Sequence, residues 1–178
     1  MARAKLKTLE ATAYHEAGHA VAALQLRVGI GRRGVSLVPN EDWSGFVHTL
    51  KGFSGRPDIE RTGQMRLGAE NRTLVLFAGE AAQRRFRPMS VRRHHAAYDR
   101  RHAIDLMNYF VGSTRELEAY LEWLHIRAES FVASPFNWKR IETVAAVLMA
   151  RKHLTAGEVK EICIEELKRA MGPLMPPF

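Results

Sequence analysis

Residues 13–21 read Ala13-Tyr14-His15-Glu16-Ala17-Gly18-His19-Ala20-Val21. They sit in an Ala-rich stretch, residues 8–27, that predicts a helix bounded by Gly29, Gly31 and Gly34. Two histidines at i and i+4 project from one helix face, about one turn apart, so both imidazoles can reach one ion. Glu16 between them stands beside such an ion rather than on it, where it can take a proton from a water held there. Ala11, Ala13, Ala17, Ala20, Ala22 and Ala23 make the helix slim, as a helix buried around a metal must be. Gly18 costs roughly 1 kcal/mol of helix propensity against Ala, and in return leaves room for a close neighbour. Catalytic zinc takes three protein ligands and one open position. No third ligand follows within ten residues of His19, so it comes from far along the chain. His48, Glu80, His94, His95, Asp99, His102 and Asp105 are the chemical candidates, and spacing does not choose among them.

Outward from this helix, Val35–Pro39 and Gly45–Leu50 read as two short strands, and the turn-type residues 40–44 between them suggest a hairpin. Pro57 is expected to open a long helix to about Arg85. Residues 86–97, rich in Arg and His and without a period, read as a loop, with helix resuming near Tyr98 and running to about Val111. Ser113-Thr-Arg-Glu116 and Thr155-Ala-Gly-Glu158 have capping-box spacing, and Ser134-Pro135 places an N-cap residue before Pro at a first helical position. The expectation is an α+β domain, mostly helical with a small sheet, over residues 1–171, followed by a Gly/Pro-rich tail at 172–178.

The chain has 178 residues, 46% of them hydrophobic, with 27 basic against 19 acidic groups and a net charge of +8. That composition excludes a disordered chain. The single Cys163 excludes an intramolecular disulfide framework and a cysteine zinc finger, and it suits a reducing cytoplasm. No apolar run approaches the roughly 20 residues of a membrane helix, so no membrane span is expected. Gly29-Ile-Gly-Arg-Arg-Gly34 has helix before and strand after, the reverse of a dinucleotide site, and no Lys-Ser/Thr follows it, so ATP binding is not expected. The charge is concentrated: residues 84–101 hold seven arginines against Asp99 alone. Interleaved aromatic platforms are lacking there, which argues against nucleic acid. Three readings stay open for the segment: a solvated loop, a contact for an anionic partner, or a substrate-side role in which arginines leading into Asp99 favour its ionised form and attract acidic peptides. Cys163, Trp123, Phe131, Phe136 and Trp138 read as core of the last helices.

Residues 13–21 resemble the zinc helix of the peptidase domain of the FtsH family of ATP-dependent metalloproteases. Val35–Pro39 with Gly45–Thr49 is similar to that family's strand pair, and Leu76-Phe-Ala-Gly-Glu-Ala-Ala82 to its Gly-Gly-Arg-Ala-Ala helix. Tyr98–Leu106 is similar to the helix that supplies an aspartate to zinc, and residues 141–148 with 154–159 to the closing helices. The resemblance covers about residues 8–165. It implies one Zn²⁺ held by His15, His19 and Asp99, with Glu16 as catalytic base. It also implies an edge strand, Gly45, Phe46, Val47, His48 and Thr49, that holds polypeptide substrate in extended form. Gln83-Arg84 replaces the family's paired glutamates, and His94–Tyr98 its Gly-rich lead-in. The family's ATPase module and membrane anchor have no counterpart here. The expectation is a zinc metalloendopeptidase acting on unfolded or flexible polypeptides. Two alternatives stand beside it, a non-catalytic zinc module binding peptides or anions, and a subunit served by a separate ATPase chain. Self-association is left open.

Overall fold

The computed structural model describes residues 2–38, 46–47, 62–91 and 93–172. Helix α1 spans Ala2–Gln25 and starts earlier than its Ala-rich middle alone suggests, because Ala2–Lys7 contains good helix formers and no breaker. A left-handed turn ends it, with Arg27 at φ 56° and Gly29 at φ 83°. Every residue from Glu16 to Ala23 is buried, so α1 is an enclosed central helix rather than a one-faced surface helix.

Around α1 lie α2 (Gly63–Phe86), α5 (Pro135–Arg151) and α6 (Ala156–Met171). The contact with α2 is made by small residues: Ala13, Ala17 and Ala20 share a cluster with Ala78, Ala81 and Ala82. A Cβ on Gly18 would stand 2.5 Å from the Ala78 carbonyl oxygen and 2.7 Å from the Ala82 Cβ. Only glycine fits that position, which accounts for its propensity cost. On another face α2 meets α3 (Arg93–Met107) and α4 (Thr114–Ala133). There Leu74 and Phe77 join Met107, Phe110, Leu117, Leu121 and Leu124 in a second apolar cluster.

Strand β1 (Val35–Ser36) pairs antiparallel with β2 (Phe46–Val47), Val35 opposite Val47, as the expected hairpin requires. The strands are shorter than the sequence suggests, and residues 39–45 lie outside the described ones. A third strand, β3 (His153–Leu154), was not anticipated; it pairs with β1 on the side opposite β2, giving the order β2-β1-β3. Lys152 creates it by turning the chain at φ 65° after α5, and its carbonyl accepts from the Leu37 N–H at 2.8 Å.

Three helix boundaries correct the sequence reading. Helix α2 begins at Gly63 rather than Pro57, because Thr62 is extended and its hydroxyl accepts from the Met65 N–H; residues 57–61 lie outside the described ones. The segment 86–97 is not one loop: a short 3₁₀ turn at Pro88–Ser90 leads into α3 at Arg93, since nothing after Pro88 breaks a helix. Helix α3 then stops at Met107, and a 3₁₀ turn at Asn108–Phe110 completes the segment. Thr155 with Glu158 forms the complete capping box expected. The Ser113 hydroxyl accepts from the Glu116 N–H, but the Glu116 carboxylate accepts from the Gly112 N–H instead of closing the box. Pro135 opens α5 directly after Ser134, whose side chain makes no capping hydrogen bond. Helix α6 ends at Gly172, and residues 173–178 lie outside the described ones.

Cys163 is buried, and burial first of all pushes its thiol up to about 11. Phe131 and Trp138 pack on the core, but Trp123 and Phe136 do not belong to it, being 45% and 39% exposed. Cationic side chains cover them instead: Arg127 over Trp123 and Arg140 over Phe136. No helix among the described residues is long and apolar enough to cross a membrane.

Candidate metal centre

His15 and His19 stand one turn apart on α1, and α3 brings Asp99 to them. The two Nε2 atoms are 3.0 Å apart. The Asp99 Oδ2 lies 3.3 Å from His15 Nε2 and 3.5 Å from His19 Nε2. A tetrahedral ion with ligand bonds near 2.0–2.1 Å has edges of about 3.3 Å between its ligand atoms. The three observed edges bracket that value. Glu16, His19 and Asp99 are all buried.

The orientation of His19 follows from its other nitrogen. Nδ1 lies 2.7 Å from the Val75 carbonyl oxygen of α2. A carbonyl only accepts, so Nδ1 carries the proton and, in the neutral ring, Nε2 presents a lone pair. That lone pair faces the Asp99 carboxylate and the Nε2 of His15. The His15 Nε2, the His19 Nε2 and the Asp99 carboxylate thus converge on a point where one cation, a proton or a metal, can sit between them. With a proton in that role, two effects oppose each other at His19. Burial pushes the imidazole toward neutrality, but the Asp99 charge and hydrogen bond, the Glu16 charge and the Val75 carbonyl outweigh it and raise the pKa to about 9. Burial likewise pushes Asp99 upward, and His19 and His15 outweigh it, holding the carboxyl well below the usual carboxylate range. The donor set of two imidazole nitrogens and one carboxylate oxygen is one that zinc accepts.

A cradle on α2 completes the surroundings. A Cβ on Gly79 would stand 2.3 Å from both Cε1 and Nε2 of His19. The Nδ1 of His15, by contrast, is buried with no hydrogen-bond partner among the described residues. Sequence reasoning overlooked Gly79 and the Val75 carbonyl. An isolated glycine inside a helical run was the available signal for the first; a backbone carbonyl leaves none.

Among the described residues, the other third-ligand candidates are paired or exposed. Glu80 pairs with Arg84 one turn later. His102 is exposed, edge-on to Tyr98 at 4.2 Å, and Asp105 is exposed. His48 and the side chains of His94 and His95 lie outside the described ones. Of the expected substrate strand, Phe46 and Val47 form β2, one of the two outer strands of the described sheet, while Gly45, His48 and Thr49 lie outside the described residues.

Among the described residues, no arginine of residues 84–101 is one of the groups that depress Asp99, a part that falls to His19 and His15. Arg84 is paired with Glu80. Arg85 reaches the Val132 carbonyl and covers Trp138, and Arg87 reaches the Lys7 carbonyl at 2.7 Å and Glu10 at 3.4 Å. Arg85 and Arg87 thereby tie the end of α2 to α4 and α1. Tyr14 of α1 adds to the same junction by stacking on Phe86 at 3.8 Å.

No family model matches this chain, and no curated protein matches its sequence. What the geometry offers is three convergent donors on two helices with a buried carboxylate, Glu16, beside them.

Proposed function

We propose that this chain is a zinc metalloendopeptidase domain of the FtsH type, acting on unfolded or flexible polypeptides. His15, His19 and Asp99 would hold one Zn²⁺, and Glu16 would be its base. The observation that carries the reading is the meeting of the His15, His19 and Asp99 donors, all within 4.8 Å of one another although Asp99 is far away in sequence. When bound, zinc with an open position polarises a carbonyl and makes water nucleophilic at neutral pH. The Glu16 carboxylate takes the proton of the attacking water and returns it to the leaving amine. His19, fixed by the Val75 carbonyl, keeps Nε2 turned toward Asp99. The β2 strand supplies an edge on which an extended peptide can add by backbone hydrogen bonds, which suits substrates of varied sequence. Unfolding of substrate falls to a separate ATPase, or substrates are already flexible. The buried, non-reactive Cys163 agrees with a cytoplasmic setting.

The test measures bound zinc and then cleavage of casein by wild type and Glu16→Gln. Stoichiometric zinc, cleavage by wild type and none by the variant support the reading. Zinc without cleavage by either replaces it with a zinc-stabilised binding module, and cleavage that survives Glu16→Gln removes the mechanism.

A further inference from the structure

We propose that Gly79 is a positioning residue for the metal centre: the bare backbone of α2 at this point lets His19 lie on the helix and reach the Val75 carbonyl. The inference rests on the metal reading above.

Val75 and Gly79 are four residues apart on α2, so they lie on one face, one above the other. A helical side chain leans toward the helix N-terminus and covers the turn before it. At position 79 it would cover the Val75 carbonyl, the acceptor that His19 Nδ1 uses at 2.7 Å. The clash is direct, with a Cβ at 2.3 Å from Cε1 and Nε2 and 2.8 Å from Cδ2 of His19. A flexible side chain could move aside cheaply. His19 cannot, because Val75 holds one edge of the ring, His15 and Asp99 face the other, and the residue is 6% exposed. A methyl group at 79 therefore turns the ring or separates the two helices, and either one moves Nε2 from its place among the three donors. Among the described residues the Nδ1 of His15 has no such partner, so the arrangement makes His19 the ligand whose direction is set before a metal arrives.

Two measurements test this on the full chain. In the first, Co²⁺ is titrated into wild type, Gly79→Ala and, as a control for general destabilisation, Leu124→Ala, following the visible d–d absorption; Zn²⁺ competition then gives affinities. Gly79→Ala is expected to weaken binding at least tenfold and to alter the intensity of the bands, while Leu124→Ala keeps the wild-type spectrum for each cobalt bound. A Gly79→Ala protein with wild-type affinity and spectrum overturns the proposal. The second measurement is a thermal-unfolding cycle on metal-free protein. Gly79→Ala lowers Tm when His19 is present and does not lower it in a His19→Ala background, where the ring is gone. If Gly79→Ala alone fails to fold, folding of the double variant upholds the proposal, and its failure to fold overturns it. Wild type that binds neither Co²⁺ nor Zn²⁺ ends the metal reading and with it Gly79's role toward a metal; the thermal cycle then still reports whether Gly79 and His19 are sterically paired.

Discussion

One face of α2 presents Val75, Ala78, Gly79 and Ala82 to α1; another presents Leu74 and Phe77 to the cluster that holds Met107, Phe110, Leu121 and Leu124. The same helix thus builds two interfaces by opposite means. Against α1 the side chains are so small that backbone atoms come within reach of the neighbouring helix and of an imidazole. Little apolar area per residue is gained there, but position is tightly set. Against α3 and α4 large side chains interlock, and burial of area dominates. The lesson is a division of labour within one helix: the small-residue face fixes distances between polar groups, and the large-residue face supplies cohesion.

Four experiments can break or sharpen that contrast, taken from the largest expected effect down. Glu16→Gln, on the site side, is expected to lower peptide cleavage by roughly 10²–10⁴-fold with zinc content unchanged, as measured by initial rates and metal analysis. Leu124→Ala, on the cohesive side, should cost about 2–5 kcal/mol in denaturant unfolding, because Leu124 is fully buried; zinc affinity of the folded protein should stay as in wild type. If that substitution removes metal binding from folded protein, the two interfaces are not separable. Gly18→Ala inserts a methyl group against Ala78 and Ala82 and should cost about 1–3 kcal/mol as an overpacking change, despite the better helix propensity of alanine. Neutral or raised stability in urea titration would show that the small-residue contact is loose.

The smallest effect lies remote from both faces. Glu158 is held down to about 2 by the Thr155 backbone N–H and hydroxyl first, with Arg151 adding to them. A carboxyl lowered on folding contributes stability above its unfolded pKa and loses it as pH falls through its folded value. That contribution should therefore be complete above about pH 4.5 and fade between there and about pH 2. Glu158→Gln should flatten this part of the stability–pH curve, while Thr155→Ala should cost about 1 kcal/mol at neutral pH through loss of the cap. An unchanged acid limb in Glu158→Gln, followed by circular dichroism, would remove the capping box from the account.

What could be read beforehand follows the same line between local and distant. The histidine pair, Glu16 and the caps at Ser113 and Thr155 depend on residues within one turn of each other, so spacing alone exposes them. Asp99 was chemically one candidate among seven, preferred only through the FtsH resemblance; its approach to His15 and His19 arises from how α3 packs, which no short-range pattern records. The strand at His153–Leu154 depends on the left-handed turn at Lys152, where a glycine would have been a clearer signal. The arginines make the same point: crowded in sequence, Arg84, Arg85 and Arg87 turn to acceptors on three different helices, which composition alone does not reveal.

The sequence distance between His19 on α1 and Asp99 on α3 has a polymer-physics consequence. Helix α3 packs on α2 and α4, so an ion shared by these two residues is a clip that closes a loop of about eighty residues. Closing long loops restricts chain conformations more than closing short ones, although only logarithmically. A ligand that binds only the folded chain at a thousand times its Kd also adds about 4 kcal/mol of stability. Metal supply would then govern how long the chain survives as a folded object, independently of any reaction it carries out.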